Sequence, residues 1–173
     1  MEIKKVDTES IPIIQSIAKS TWAVAYKEII STQQLDFMLD RMYSTASLQN
    51  QLQQKEHQFV VAYLENIPIA FAAYAIKEPV TESIFKLHKI YVLPDQQGKG
   101  IGKSLLQFIL HDICAKGSKH LELNVNRQNK AVEFYKKLGF AIVAEVDVPI
   151  GNGFFMNDYV MQISCWALTR QLS

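Results

Sequence analysis

The stretch DQQGKGIGKSLL, residues 95–106, places glycines at positions 98, 100 and 102, with lysines at 99 and 103. Because glycine has no Cβ, the backbone here can approach an anion closely. The apolar residues that follow predict a helix, and the first N–H groups of a helix have no intrahelical partner and can bind phosphate. The stretch therefore predicts a phosphate-binding turn between a strand and a helix.

Two common phosphate loops fit this turn poorly. A nucleoside triphosphate P-loop needs a glycine at position 97, where Gln97 stands, and the following strand lacks the aspartate that holds Mg²⁺. A dinucleotide fingerprint that begins at Gly98 needs a glycine at 103, which is Lys103, and one that begins at Gly100 needs a glycine in place of Leu105. A plain turn is the structural alternative, but three glycines in five residues disfavour the start of a helix.

A third pattern, Gln97-x-x-Gly100-x-Gly102, is followed by LNVNRQNKAVEFYKKLGF and resembles the GNAT superfamily of N-acetyltransferases. The resemblance extends from Ile3 to about Val160. It implies acetyl-CoA as cosubstrate and transfer of its acetyl group to a primary amine by direct attack in a ternary complex. The residues that it assigns to cofactor binding are Ile90, Tyr91, Val92, Gln97, Gly98, Lys99, Gly100, Ile101, Gly102, Lys103, Asn129, Phe134 and Tyr135.

The same resemblance implies one catalytic residue, Tyr135, and the strand pattern adds His88 as a second candidate. A phenol near the thioester sulfur can protonate or hydrogen-bond the departing thiolate, although the apolar stripe around Tyr135 equally fits a core position. Many members of the family have a glutamate that acts as the catalytic base, and the matching position of this chain is Lys86. Strand alternation puts Lys86, His88 and Ile90 on one face, and an imidazole with its ordinary pKa of about 6.5 suits proton transfer. A purely structural His88, or proton loss to bulk water, is the alternative.

The amine acceptor is the least determined part of the prediction. The family selects it through its first helices and the connection between its last strands, which predicts substrate contacts by Trp22, Tyr26 and Phe155. Phe154 could extend this apolar wall, and three acidic residues could attract a cation: Glu28, Asp36 and Asp158. All of these residue types also have ordinary structural roles. The first helix and FFMNDYVM are similar to the branch that contains polyamine acetyltransferases, so a polyamine or other small amine is expected, with an amino acid or peptide amine as the alternative.

Composition narrows the class of protein. The 173 residues include 18 basic and 17 acidic ones, a net charge of +1 without a basic block, so no nucleic-acid partner is expected. The length predicts a single domain, and the resemblance implies one acetyltransferase domain over 1–173. The N-terminus lacks an apolar signal region and no run of 18 apolar residues occurs, so a cytoplasmic protein without membrane contact is expected. Cys114 and Cys165 are predicted to be reduced thiols. The four histidines fit no metal spacing.

Hydrophobic periodicity predicts a mixed order of helices and strands, an α+β (mixed α/β) class with helices on both faces of a sheet. The resemblance implies the GNAT-type arrangement, a single domain with a central, twisted, mostly antiparallel sheet of about seven strands. The expected strands are 1–6, 58–64, 69–77, 83–93, 119–125, 141–150 and 154–166, with ENIP, residues 65–68, as the turn of the first hairpin. The expected helices are 7–22, 31–43, 45–54, 101–116 and 129–139. A homodimer is one expected assembly, and a non-catalytic coenzyme A-binding regulator is the alternative function.

Overall fold

A computed structural model describes residues 1–77 and 84–167. Its strands form one seven-stranded sheet in the order β1-β2-β3-β4-β5-β7-β6. The strands are β1 (Glu2–Val6), β2 (Gln58–Leu64), β3 (Ile67–Ile76), β4 (Ile84–Val92), β5 (His120–Asn126), β6 (Ala141–Gly151) and β7 (Phe154–Ser164). The pairs β1–β2, β2–β3, β5–β7 and β6–β7 are antiparallel, whereas β4 and β5 are parallel. The predicted mixed α/β class with a mostly antiparallel sheet is confirmed.

Helices occupy the connections that the periodicity predicted. They are α1 (Ile11–Ala25), α2 (Thr32–Tyr43), α3 (Thr45–Gln53), α4 (Ile101–Ala115) and α5 (Ala131–Lys137). Side-chain caps fix two of the starts, because Ser31 Oγ accepts from the N–H of Gln34 and Ser44 Oγ accepts from the N–H of Ser47. The first helix begins later than expected: Asp7 caps a 3₁₀ turn over Thr8–Ser10, and α1 starts after it.

The described chain packs as two compact units, of which the first comprises Met1–Ala75 and His88–Phe108. Its centre is formed by β2 and β3, where residues 59–62 and 69–75 are buried without interruption. Continuous burial means that both faces of these strands are covered, which explains why their sequences are apolar rather than alternating. Five apolar side chains of the helices complete this core: Ile14, Ile17, Trp22, Leu48 and Leu105.

The second unit consists of the described residues of Ile76–Leu87 and Ile109–Ser173. Its core includes Leu121 and Leu123 on β5 and Met161 on β7, all fully or almost fully buried. The edge strand β6 is largely exposed. The prediction of one domain over 1–173 stays a prediction.

The predicted reduced thiols are wrong: Cys114 and Cys165 form a disulfide. Their sequence separation of 51 suggested that they lie apart. The N–H of Cys165, however, donates to the carbonyl of Lys119 at 2.8 Å, which brings the end of β7 beside the connection that follows α4. The two Cα atoms are 5.8 Å apart, within the range that a disulfide spans.

The first hairpin also turns more tightly than ENIP suggested. Only Glu65 and Asn66 form the turn, both with positive φ, as a two-residue hairpin loop requires. Ile67 and Pro68 already belong to β3. The sheet tolerates Pro68 because its partner Tyr63 lies at a register shift of β2.

Candidate functional site

The glycine turn of the first unit has the backbone geometry that the sequence predicted at two of its three glycines. Gly98 and Gly100 each have φ of +79°, a backbone conformation that residues with a side chain rarely adopt. A Cβ built on either glycine meets nothing within 4 Å. On the strand side, Gln97 Nε2 donates to the carbonyl of Val92 at 3.1 Å and thereby ties the turn to the end of β4.

The first turn of α4 supplies amide donors beside this open space. The N–H of Ser104 donates to the carbonyl of Gly100 at 3.0 Å and opens the helical hydrogen-bond series. The N–H groups of Ile101, Gly102 and Lys103 precede it and have no acceptor within the helix. These amides, the helix dipole and the ammonium of Lys103 have the chemistry of an anion site, and binding of a coenzyme diphosphate there stays a prediction.

Strand β4 leads into this turn. Among the described residues its parallel pairing with β5 runs from Ile84↔His120 to Leu87↔Leu123, although β4 continues to Val92 and β5 to Asn126. The sequence predicted cofactor contacts by the backbone of Ile90, Tyr91 and Val92, which follow the last β4 residue that is described as paired with β5.

The second unit holds the predicted residues of α5. Asn129 Oδ1 accepts from the N–H of Ala131 at 2.8 Å, and the N–H of Asn129 donates to the carbonyl of Asn126 at 2.9 Å, so this residue shapes the turn before the helix. Tyr135 is 7% exposed, and its ring lies 5.3 Å from that of Phe134 and 5.5 Å from that of Phe140. This side chain therefore has the packing of a core residue, and its predicted role near the thioester sulfur stays a prediction.

The predicted base His88 is exposed on β4 in the first unit. Its ring stacks on that of His57, with 4.1 Å between the centroids and 18° between the planes. Burial, together with the cations of Lys89 and Lys55, lowers the pKa of His57 to about 4, so His57 is neutral at physiological pH. The sequence did not single out His57, because it lies 31 positions before His88 and belongs to no motif.

Lys89, the next residue of β4, is a second feature that sequence reasoning missed. It is 9% exposed, and its ammonium donates to Gln51 Oε1 at 2.6 Å. The same ammonium lies 5.5 Å from the ring centre of Tyr43 and 5.9 Å from that of Phe59. Burial lowers the pKa of Lys89 to about 8, and the cation of Lys55 contributes to this decrease.

Aromatic rings surround the predicted acceptor residues of the first unit. Trp22 lies 4.7 Å from the ring of Tyr26, 5.6 Å from that of Tyr43 and 5.9 Å from that of Tyr91. The hydroxyl groups of Tyr26 and Tyr91 are 3.4 Å apart. Trp22 is only 2% exposed, and its indole N–H and the Tyr43 hydroxyl are buried without a hydrogen-bond partner in the part of the chain that the structure describes. In the second unit, the predicted acceptor residue Phe155 is 51% exposed.

The second unit also holds a row of charged residues around Lys86. Its cross-strand neighbour Glu122 is buried and forms an ion pair with Lys77 at 2.8 Å. Burial raises the pKa of Asp158, and Asn124, Lys86 and Arg127 partly oppose this increase. Lys86 is half-buried, and desolvation lowers the pKa of its ammonium despite the nearby carboxylates. Lys86 thus stands among carboxylates rather than supplying one.

The described residues contain neither a cluster of metal-ligating side chains nor a helix that could span a membrane. Residues 1–77 and 84–167 contain no group of three or more His, Cys, Asp or Glu side chains placed to hold a metal ion. No helix within those ranges is long and apolar enough to span a membrane.

A mixed sheet with a glycine turn between β4 and the start of α4 is the arrangement expected of an acyltransferase that uses a coenzyme. A family model described as "Acetyltransferase (GNAT) domain" matches residues 26–162. The chain belongs to this family. It is an acetyltransferase with acetyl-CoA as cosubstrate, as the glycine turn and the α5 segment predicted.

Characterised relatives and solved structures agree with this assignment. The chain is 26% identical to the spermidine N(1)-acetyltransferase of Thermoplasma acidophilum over 90% of its own length and 95% of that protein. The crystal structure of PaiA N-acetyltransferase from Thermoplasma acidophilum, in complex with coenzyme A, matches with a TM-score of 0.79 and 25% identity, covering 94% of this chain and 98% of that one. The peptidyl-lysine N-acetyltransferase YjaB of Salmonella typhimurium is 33% identical over 58% of this chain and 69% of that protein.

Proposed function

We propose that this acetyltransferase moves the acetyl group of acetyl-CoA to a primary amine of a small polyamine-type acceptor, by direct attack in a ternary complex. The observation that carries the cosubstrate assignment is the open space at Gly98 and Gly100, next in sequence to the first amides of α4, which have no acceptor within the helix. The similarity to a spermidine N(1)-acetyltransferase over nearly the whole of both chains supports the acceptor class. A lysine side chain of a peptide is the second candidate, supported by the similarity to a peptidyl-lysine N-acetyltransferase.

The turn residues bind and orient the cosubstrate in this proposal. Gly98, Gly100 and the amides of residues 101–103 hold the diphosphate, while Lys99 and Lys103 add positive charge. The backbone of β4 at residues 90–92 takes the pantetheine arm as an added strand, and an amide there can stabilise the oxyanion that develops on attack. Acetyl-CoA supplies an activated acyl group, so no nucleophilic side chain is required.

Two side chains move protons. His88 takes one proton from the acceptor ammonium, which leaves the neutral amine able to attack the thioester carbon. The carbon–nitrogen bond forms first and gives the oxyanion; the carbon–sulfur bond then breaks, Tyr135 gives its phenolic proton to the departing thiolate, and the nitrogen of the new amide loses its remaining excess proton to solvent. Solvent returns a proton to Tyr135 and accepts one from His88, so one proton is released for each amide made.

The test is thiol release from acetyl-CoA with a panel of amines: putrescine, spermidine, lysine and a lysine-containing peptide. Turnover with spermidine above the other amines supports the proposal. Tyr135→Phe should lower kcat roughly 10- to 100-fold with acetyl-CoA binding unchanged, because only the proton donor is lost. Tyr63→Phe, on β2, is the matched control and should leave turnover unchanged.

The contrary results have distinct meanings. Tight acetyl-CoA binding without turnover of any amine would identify a coenzyme A-binding regulator instead of an enzyme. Turnover only with the peptide would replace the polyamine by a protein acceptor. Homodimer formation is a separate proposal, which sedimentation velocity tests.

A further inference from the structure

We propose that His57 is a positioning residue for His88: its neutral ring, stacked on that of His88, fixes the imidazole on β4 and allows it to carry a positive charge after it takes the acceptor proton. This inference rests on the role of His88 in the proposed function. It concerns two residues of the first unit, and no motif in the sequence connects them.

The stack is the geometric basis of the proposal. With 4.1 Å between centroids and planes only 18° apart, the ring of His57 covers one face of the His88 ring. His88 is an exposed residue of β4. A ring contact of this kind limits the rotamers that an exposed side chain samples, and a misplaced base slows proton transfer. The stack therefore restricts His88 while the edge of its ring stays accessible.

The backbone of His57 is bonded to Gln51, which also contacts β4. The backbone N–H of His57 donates to the carbonyl of Gln51 at 2.9 Å. The side chain of Gln51 accepts from the ammonium of Lys89, the residue after His88, at 2.6 Å. Gln51 Nε2 in turn donates to the carbonyl of Met42 at 2.9 Å and to Ser47 Oγ at 3.0 Å. Gln51 thus ties the segment that carries His57 to the same stretch of β4 as His88.

Charge explains why a neutral ring is needed at position 57. Lys55 on the same segment and Lys89 on β4 are the cations that face His57, and with burial they keep it unprotonated. When His88 becomes an imidazolium, the neutral face of an aromatic ring is a favourable neighbour for it. A cation in place of His57 would oppose that protonation.

Four variants, each measured for kcat and for the KM of acetyl-CoA with the best amine of the panel, test the proposal. His57→Phe keeps a neutral aromatic face and should keep kcat within about twofold, whereas His57→Ala should lower kcat about tenfold with KM unchanged. His57→Lys should lower kcat at least as much as His57→Ala does. His111→Ala, at an exposed position of α4, is the matched control and should have no effect.

A double-mutant cycle with His88→Ala separates positioning from a structural role. If His57 acts through His88, His57→Ala causes no further loss in the His88→Ala background. An equal loss in both backgrounds, or a His57→Phe variant as slow as His57→Ala, would overturn the inference. If His88→Ala alone is fully active, both the base and its positioning residue fall, while amine-dependent thiol release by the wild type would leave the acetyltransferase function intact.

Discussion

At the scale of single residues, Lys89 is a charged side chain enclosed by its unit instead of exposed to solvent. Its ammonium is bonded to a neutral amide, that of Gln51, and lies over two aromatic rings. Such contacts partly replace hydration, but they do not neutralise the charge. The folded state therefore favours the neutral amine more than the unfolded state does, which is what the decrease in the pKa of Lys89 to about 8 expresses.

This decrease predicts a pH dependence of stability. Between pH 8 and 10.5 the unfolded chain binds more protons at Lys89 than the folded chain, so the free energy of unfolding rises with pH in that window. The penalty of the buried charge is fully present below pH 8 and amounts to about 3 kcal/mol at most.

Urea unfolding at pH 7, 8, 9 and 10 measures the effect as the difference between the wild type and Lys89→Met. The wild type should gain stability relative to the variant as the pH rises. Lys19→Met, at an exposed position of α1, should show no such trend. If the difference in the free energy of unfolding between the wild type and Lys89→Met stays constant from pH 7 to 10, burial does not perturb the pKa of Lys89.

At the scale of elements, the connection from β4 to α4 was predictable because its requirements are local. Positive φ at residues 98 and 100 and an apolar stripe from Leu105 to Ile113 can both be inferred from neighbouring residues. The contacts that were missed join distant segments: Gln51 with Lys89 across 38 positions, His57 with His88, and Cys114 with Cys165. None of these pairs has a characteristic spacing, because the sheet and the helix packing create them.

The glycine turn yields a prediction with an internal control. Gly100→Ala places a methyl group where the diphosphate would approach and should raise the Kd of acetyl-CoA at least about tenfold, which is about 1.4 kcal/mol of binding free energy. Gly117→Ala, after α4, imposes the same conformational penalty of roughly 1–2 kcal/mol, since both glycines have positive φ and open space around the added Cβ.

Calorimetric titration with acetyl-CoA, together with thermal unfolding of both variants, separates these effects. We expect the two melting temperatures to fall by similar amounts and only Gly100→Ala to lose affinity. Equal affinities in both variants would remove the turn from the cosubstrate site.

At the scale of the whole molecule, the disulfide between Cys114 and Cys165 replaces the two reduced thiols that the sequence predicted and adds a cross-link that stabilises the fold. It closes a loop that contains β5, α5, β6 and β7 within the second unit. Cross-linking restricts the unfolded chain, and a closed loop of this length corresponds to about 4 kcal/mol in the chain-entropy model. Thiols in the cytosol are normally kept reduced. The disulfide therefore disagrees with the predicted cytoplasmic location.

Thermal unfolding with and without dithiothreitol tests this contribution. Reduction should lower the melting temperature of the wild type by roughly 10 °C, because about 4 kcal/mol is removed from a chain of this size. The Cys114→Ala/Cys165→Ala double variant should melt near the reduced wild type and should not respond to the reductant. Non-reducing peptide mapping before the experiment establishes that the bond is present. A wild type that contains the bond but melts at the same temperature in both buffers would show that the loop is already restricted in the unfolded chain, and the entropy argument would then not apply to this protein.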